Sequence, residues 1–259
     1  MSSLNDPANG EESSCPKVIL LDIEGTTTSI SFVKDALFPF ARKELETFLV
    51  KNWDDPIVQS IIDIIQKQSE EDAAKGLLEN AIPSGLNKDL VLPEIFKNLY
   101  WQMDNDRKTT GLKALQGKIW KKGFEEGLLK GQVYEDVPPA FQRWKNSGKE
   151  IYIYSSGSVE AQILLFKYSE AGDLTKHLSG YFDTTTGPKI EANSYKIISE
   201  KIGVPPNTIL FCTDVSKEAY AAKEAGLQVV VSIRPGNVAL SEQELKDFPN
   251  VTNFTTLSD

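Results

Sequence analysis

Val18, Ile19, Leu20 and Leu21 run directly into Asp22, with Ile23, Glu24, Gly25 and Thr26 behind them. Four consecutive aliphatic residues closed by a turn signal predict a strand buried on both faces, the kind that occupies the middle of a parallel sheet. In an open α/β sheet, ligands bind beyond the carboxyl ends of the strands, so Asp22 and Glu24 stand where chemistry is expected. If the strand continues through Glu24, period-two alternation points both carboxylates the same way.

Similar strands recur later in the chain. Ile151 to Tyr154 predict a second strand, ending in Ser155, Ser156, Gly157 and Ser158, and a short strand near Tyr181 and Phe182 leads towards Lys189. Thr208 to Cys212 predict another strand that ends in an acid, Asp214, and Val229 to Val231 one more. Helical patterns separate them: one opened by Asp136, Pro138 and Pro139, one from about 191 to 202, one through Ala219, Ala222 and Ala225 that stops at Gly226, and a late one capped by Ser241 and Glu244. Alternating strands and helices with two-sided apolar strands predict an α/β fold built on a doubly wound parallel sheet.

From about residue 30 to 131 the period is helical throughout. Phe32, Val33, Leu37, Ala41, Leu45 and Leu49 form one stripe, which Pro39 is expected to kink or split. Asp54 or Asp55 before Pro56 starts the next helix, and further helices are expected near 88–105 and 110–124. The domain plan is a disordered polar tail over 1–16, an α/β core over 17–30 and 132–259, and an inserted all-helical cap over 31–131. The Trp, Phe and Met residues of the insert are expected as core packing.

A net charge of -9 and a pI near 4.9 argue against a nucleic-acid or anionic-membrane binder, since phosphate backbones are repelled at long range. Two cysteines, Cys15 and Cys212, make neither a disulfide framework nor a zinc cluster. The tail lacks the basic region and apolar core of a signal peptide, and no apolar run approaches the roughly 20 residues that cross a bilayer. A cytoplasmic protein is expected, with diffusion into the nucleus also open. There is no P-loop and no dinucleotide glycine fingerprint. A cysteine phosphatase is excluded because position 218, where Cys212 would need its arginine, is Glu218. The single histidine, His177, lies in a polar segment and is expected at the surface or at a cap.

Parallel strands bring their carboxyl ends together, so Asp22, Glu24, Ser155, Ser156, Lys189 and Asp214 should converge. Glu218 stays open between an exposed helix position and membership of that group. The chemistry such a set can perform is phosphoryl transfer. A carboxylate can attack phosphorus to give an aspartyl-phosphate, while hydroxyl and ammonium groups hold the non-bridging oxygens. Magnesium prefers carboxylate oxygens and screens the nucleophile from its anionic target.

In the order Asp22 to Thr26, Ser155, Lys189, Asp214, these residues resemble the four motifs of the haloacid dehalogenase superfamily. Glu24 departs from its usual pattern, in which an Asp stands two residues after the nucleophile. With Asp22 to Thr27 and Tyr152 to Ser158 taken together, residues 17 to 255 are similar to the enolase-phosphatase (acireductone synthase) family of methionine salvage. The resemblance implies enolisation and then dephosphorylation of 2,3-diketo-5-methylthiopentyl-1-phosphate to the acireductone and phosphate. It implies Asp22 as nucleophile and metal ligand, Asp214 as a second ligand, and position 24 at the metal, often through its backbone carbonyl. Ser155, Ser156 and Lys189 become substrate-binding positions, with one magnesium ion per subunit in a monomer. Glu24 is the candidate base for enolisation. Two alternatives remain at this point: a magnesium-dependent phosphatase or a metal-free dehalogenase acting on another substrate, and a non-catalytic regulatory protein of the same fold.

Overall fold

A computed structural model of the chain describes residues 15–77, 80–255 and 257. Most of the polar tail expected over 1–16 lies outside the described residues. Six strands form one parallel sheet: β1 (Val18–Leu21), β2 (Glu150–Tyr154), β3 (Gly180–Phe182), β4 (Ile209–Thr213), β5 (Gln228–Ser232) and β6 (Asn250–Val251), in the order β3-β2-β1-β4-β5-β6. All pairings are parallel. The strand order steps one way from β1 to β3 and the other way from β1 to β6. This makes the carboxyl end of β1 the switch point where such sheets bind ligands. The two-residue β6, led by Pro249, carried no period that the sequence could reveal.

β1 and β4 are buried at every residue, which is what unbroken aliphatic runs require when both faces are covered. Val18 and Leu20 point to one face and join Ile209, Phe211, Val229 and Val231 in a core closed by two helices. These are α8 (Ala192–Ile202) and α9 (Ser216–Glu224), which contribute Tyr195, Ile198, Ala219 and Ala222. Small alanines let α9 lie close to the sheet. α6 (Val137–Asn146) packs beside β2 and buries Phe141 and Trp144 fully, with Phe254 against the indole at 5.4 Å. The late helix α10 (Glu242–Asp247) carries the expected capping box between Ser241 and Glu244. His177 is half-buried with its ring edge towards Phe141.

The described residues divide into two compact units, those within 15–27, 134–157 and 176–257 against those within 28–133 and 158–175. The sequence plan grouped all of 132–259 with the core. The structure instead packs α7 (Val159–Lys167) within the helical unit, where Lys118 meets Glu160 at 3.3 Å. Strand-to-helix alternation alone cannot show which unit a connecting helix packs in.

The helical unit holds α1 (Ile30–Phe32), α2 (Phe38–Lys51), α3 (Pro56–Ala74), α4 (Lys88–Asp104) and α5 (Thr110–Glu125) around Leu45, Leu49, Ile61, Ile95, Leu99, Leu115 and other aliphatic residues. Asp55 caps α3, accepting from the Ile57 N–H at 2.7 Å, with Pro56 in the first turn. The helical run is split just before Pro39, which stands in the first turn of α2. A π-helical turn, Val33–Leu37, joins α1 to α2, and the Phe38 N–H reaches back to the Val33 carbonyl. The wider turn accommodates a residue without an N–H. The Leu37 carbonyl accepts from the Trp120 indole at 2.8 Å.

Candidate active site

The sheet register sets the level of each functional group. Leu21 pairs with Ile153 on one side and Cys212 on the other, which places Asp22 level with Tyr154 and Thr213, and Ser155 and Asp214 one residue beyond. The ladder continues one step past β1, because the Asp22 N–H donates to the Cys212 carbonyl at 2.9 Å. Asp22 therefore keeps the phase of Val18 and Leu20 and faces the side of the sheet covered by α8 and α9.

On that side Asp22 meets a buried lysine. Lys189 Nζ lies 2.6 Å from Asp22 Oδ1 and 2.7 Å from Glu218 Oε2, and all three residues are at least nine-tenths buried. Burial alone would lower the lysine pKa, but the charges of Asp22 and Glu218 outweigh it and hold the ammonium protonated above its ordinary value. Glu218 is raised by burial and by the Asp22 charge, against the pull of Lys189, and also accepts from the Thr213 hydroxyl at 2.8 Å. The position left open in sequence is thus part of the cluster. Its spacing of four from Asp214, across the start of α9, was the available signal.

Two loops fix these groups, and both use the same device. In the Lys189 loop, three successive carbonyls each take a side-chain hydrogen bond. Tyr154 donates to Gly187 at 2.8 Å, Ser194 to Pro188 at 2.7 Å and Tyr195 to Lys189 at 2.6 Å. In the turn after Asp22, Asn237 Nδ2 donates to the Gly25 carbonyl at 2.9 Å, Arg234 Nε to Thr26 at 3.2 Å and the Tyr134 N–H to Thr27 at 3.0 Å. Arg234 is itself clamped by both oxygens of Asp136, at 2.9 and 2.8 Å. From sequence Asp136 was read as a helix start and Tyr154 as a strand and motif residue, and Ser194, Tyr195, Arg234 and Asn237 carried no reading, since only the fold shows which carbonyls these side chains reach.

The expectation that Asp22 and Glu24 share a direction rested on the strand continuing, and it does not. β1 ends at Leu21, the Ile23 carbonyl accepts from the N–H groups of Thr26 and Thr27, and Gly25 has a φ of +70°. Period-two reasoning no longer applies, and Glu24 sits half-buried in the turn. Gly25 is required for space as well as conformation: a Cβ there would lie 2.4 Å from Asp214 Oδ2. Ser155 is buried at the end of β2, its N–H bonded to the Phe182 carbonyl at 3.2 Å and its hydroxyl accepting from Gly157, whereas Ser156 is exposed.

Burial, then the charges of Asp22 and Glu218, push the Asp214 carboxyl up to about 7. Cys212 is fully buried and its thiol is pushed up to about 12, so it is no nucleophile at neutral pH. A hollow of about 540 Å³ in the helical unit, lined by Pro39, Arg42, Lys43, Glu46, Thr47 and Tyr100, contains none of these groups. The reactive chemistry is concentrated at the sheet edge.

Comparison with known proteins gives the family of the chain. A family model described as haloacid dehalogenase-like hydrolase matches residues 16–226. An enolase-phosphatase E1 of Anopheles gambiae is 53% identical over 244 residues, spanning 93% of this chain and 82% of that protein. The chain belongs to the enolase-phosphatase E1 family of haloacid dehalogenase-like hydrolases. Its similarity to the Xenopus tropicalis enolase-phosphatase E1 is 48% over 92% of each chain. The crystal structure of the UTR4 protein of Saccharomyces cerevisiae superposes with a TM-score of 0.75 at 31% identity, covering 93% of this chain and 99% of that one. The family places the chain among phosphatases.

Enolase-phosphatases belong to a hydrolase class that generally uses magnesium, and the donor set here fits that ion. Asp22, Asp214 and Glu218 set three acids near the buried Lys189, and Asp214 is raised first by burial and then by the charges of the other two acids. Among the described residues no three His, Cys, Asp or Glu side chains are grouped as a metal cage. Magnesium does not need one, because it binds through one or two carboxylates and completes its shell with water and phosphate oxygens.

The Asp214 shift has a measurable consequence. With the folded pKa near 7 and the ordinary value at 3.8, the folded state holds this proton more tightly than the unfolded chain. Its contribution is then favourable at low pH and is lost as pH rises through the interval between the two values. Metal-free protein should therefore lose stability from about pH 4 to about pH 7, by on the order of 2–4 kcal/mol from this group. Asp214→Asn should remove that component. Equal pH dependence of the melting temperatures of the two proteins would contradict the assignment.

Proposed function

We propose that this chain is a magnesium-dependent enolase-phosphatase that converts 2,3-diketo-5-methylthiopentyl-1-phosphate to the acireductone 1,2-dihydroxy-5-(methylthio)pent-1-en-3-one and phosphate, the methionine-salvage reaction. The observation that carries the residue assignment is the buried contact of Lys189 with Asp22 at the carboxyl end of the central strand. Asp22 is the nucleophile: its oxygen attacks phosphorus as the bond from phosphorus to the C1 oxygen of the enolised substrate breaks, the acireductone leaves carrying that oxygen, and water then cleaves the aspartyl-phosphate to phosphate and free Asp22. Lys189 fixes the nucleophile and offers its positive charge to the phosphoryl oxygens as charge develops on them. The Ser155 hydroxyl, with Ser156 beside it, binds those oxygens from the adjacent strand end.

Asp22 and Asp214 hold one magnesium ion per subunit, with position 24 contributing its backbone carbonyl. When bound, the ion supplies charge neutralisation at the phosphate and at the diketone oxygens. Glu24 is the base that removes the proton alpha to the carbonyl. The helical unit is the cap domain of a monomeric enzyme.

Phosphate release from the diketone phosphate, with magnesium and with EDTA, tests the reading. Turnover only with magnesium is the expected result, while EDTA-insensitive turnover or none on this ester would refute it. In stopped-flow absorbance, Glu24→Gln should slow the appearance of the enol by about 10²-fold or more, the usual contribution of a positioned base. An unchanged enolisation rate would remove Glu24 from that role.

A further inference from the structure

Asn237 lies in the loop after β5 and uses its two ends differently. Its Nδ2 donates to two carbonyls, Gly25 at 2.9 Å and Ser232 at 3.1 Å. Two acceptors on that side fix the orientation of the amide, because the oxygen could not replace the nitrogen there. Oδ1 must then point the other way. It is buried and has no hydrogen-bond partner.

The surroundings of that orphan oxygen are specific. The point where a Cβ on Gly25 would sit is 2.8 Å from Asn237 Oδ1 and 2.4 Å from Asp214 Oδ2. Asn237 Oδ1 and Asp214 Oδ2 thus lie close to the same point on one side of the nucleophile turn. An orphaned buried acceptor is destabilising unless something supplies a proton to it. Water bound to a cation is a strong donor, and polar groups outside the ligand shell commonly orient such waters.

We propose that Asn237 is a positioning residue for the metal site. Nδ2 holds the Gly25 turn, and Oδ1 accepts a hydrogen bond from water coordinated to the divalent cation that Asp22 and Asp214 bind. This inference rests on the magnesium reading above. Its role is to act on the reaction through the cation and the turn, as a positioning residue.

Magnesium titration of the purified, metal-stripped full chain by calorimetry tests it, alongside the melting temperature without metal. Asn237→Ala should weaken magnesium binding about tenfold or more, in the range seen when an outer-shell partner is removed. Val238→Ala, a change at the exposed neighbour, should leave affinity unchanged. Should the alanine variant fail to fold, Asn237→Ser is titrated in its place with the same expectation. A lowered melting temperature with wild-type magnesium affinity would make Asn237 purely structural and overturn the proposal. Absence of magnesium binding by the wild-type protein would instead refute the magnesium reading, so the two failures are distinct.

Discussion

Asp22→Asn should release no measurable phosphate, a loss of about 10⁴-fold or more, while the protein keeps its fold. The amide is nearly isosteric, but its nitrogen and neutral oxygen cannot form the acyl-phosphate. Stability should change little. Lys189 keeps its partner Glu218 at 2.7 Å, so no buried charge is left alone. Removing the Asp22 charge also relieves Asp214 and Glu218, both of which it pushes upward. A melting temperature at or slightly above wild type, together with lost turnover, is the expected pair of results. Retained turnover would show that another group attacks phosphorus.

Lys189→Met should damage both fold and activity. The methionine fills similar volume but leaves Asp22 and Glu218 facing each other in a buried site without their shared counter-ion. Breaking one partner out of a buried ion pair costs about 3–5 kcal/mol, and the loss should be largest at high pH, where both carboxyls are forced to ionise. Activity should fall by a further 10²-fold or so through loss of transition-state charge stabilisation, even at temperatures where the variant is folded. Denaturant midpoints at about pH 5 and about pH 8 check the first effect, and turnover of the folded variant checks the second. Midpoints equal to wild type at both pH values would mean that Lys189 does not neutralise the pair.

The contrast between these residues and their neighbours explains what could be read in advance. Asp22, Ser155 and Asp214 were legible because buried aliphatic runs announce strands, and parallel strands deliver their last residues to one edge. Glu24 was read through strand periodicity that stops three residues too early, since the Gly25 turn is made by backbone hydrogen bonds that sequence spacing does not display. Glu218 carries the same pattern as a solvated helix acid, and only the packing of α9 onto the sheet turns it towards Lys189. The supports were the least visible. Tyr195 resembles any core aromatic, and Arg234 any surface arginine, until the fold shows the carbonyl that each one holds. Pro39 marked the split in the helical run, but its form, a π-helical turn ahead of the proline, carries no sequence pattern of its own. The assignment of α7 to the helical unit likewise depended on contacts with α5.

The proposed reaction passes through a covalent phosphate at one carboxylate, and that can be measured directly. Wild-type protein mixed with the diketone phosphate and magnesium, quenched during turnover and treated with borohydride, should convert Asp22 alone to homoserine, identified by mass spectrometry of its peptide. Unmodified Asp22 during active turnover, or reduction at Glu24, Asp214 or Glu218 instead, would contradict the account.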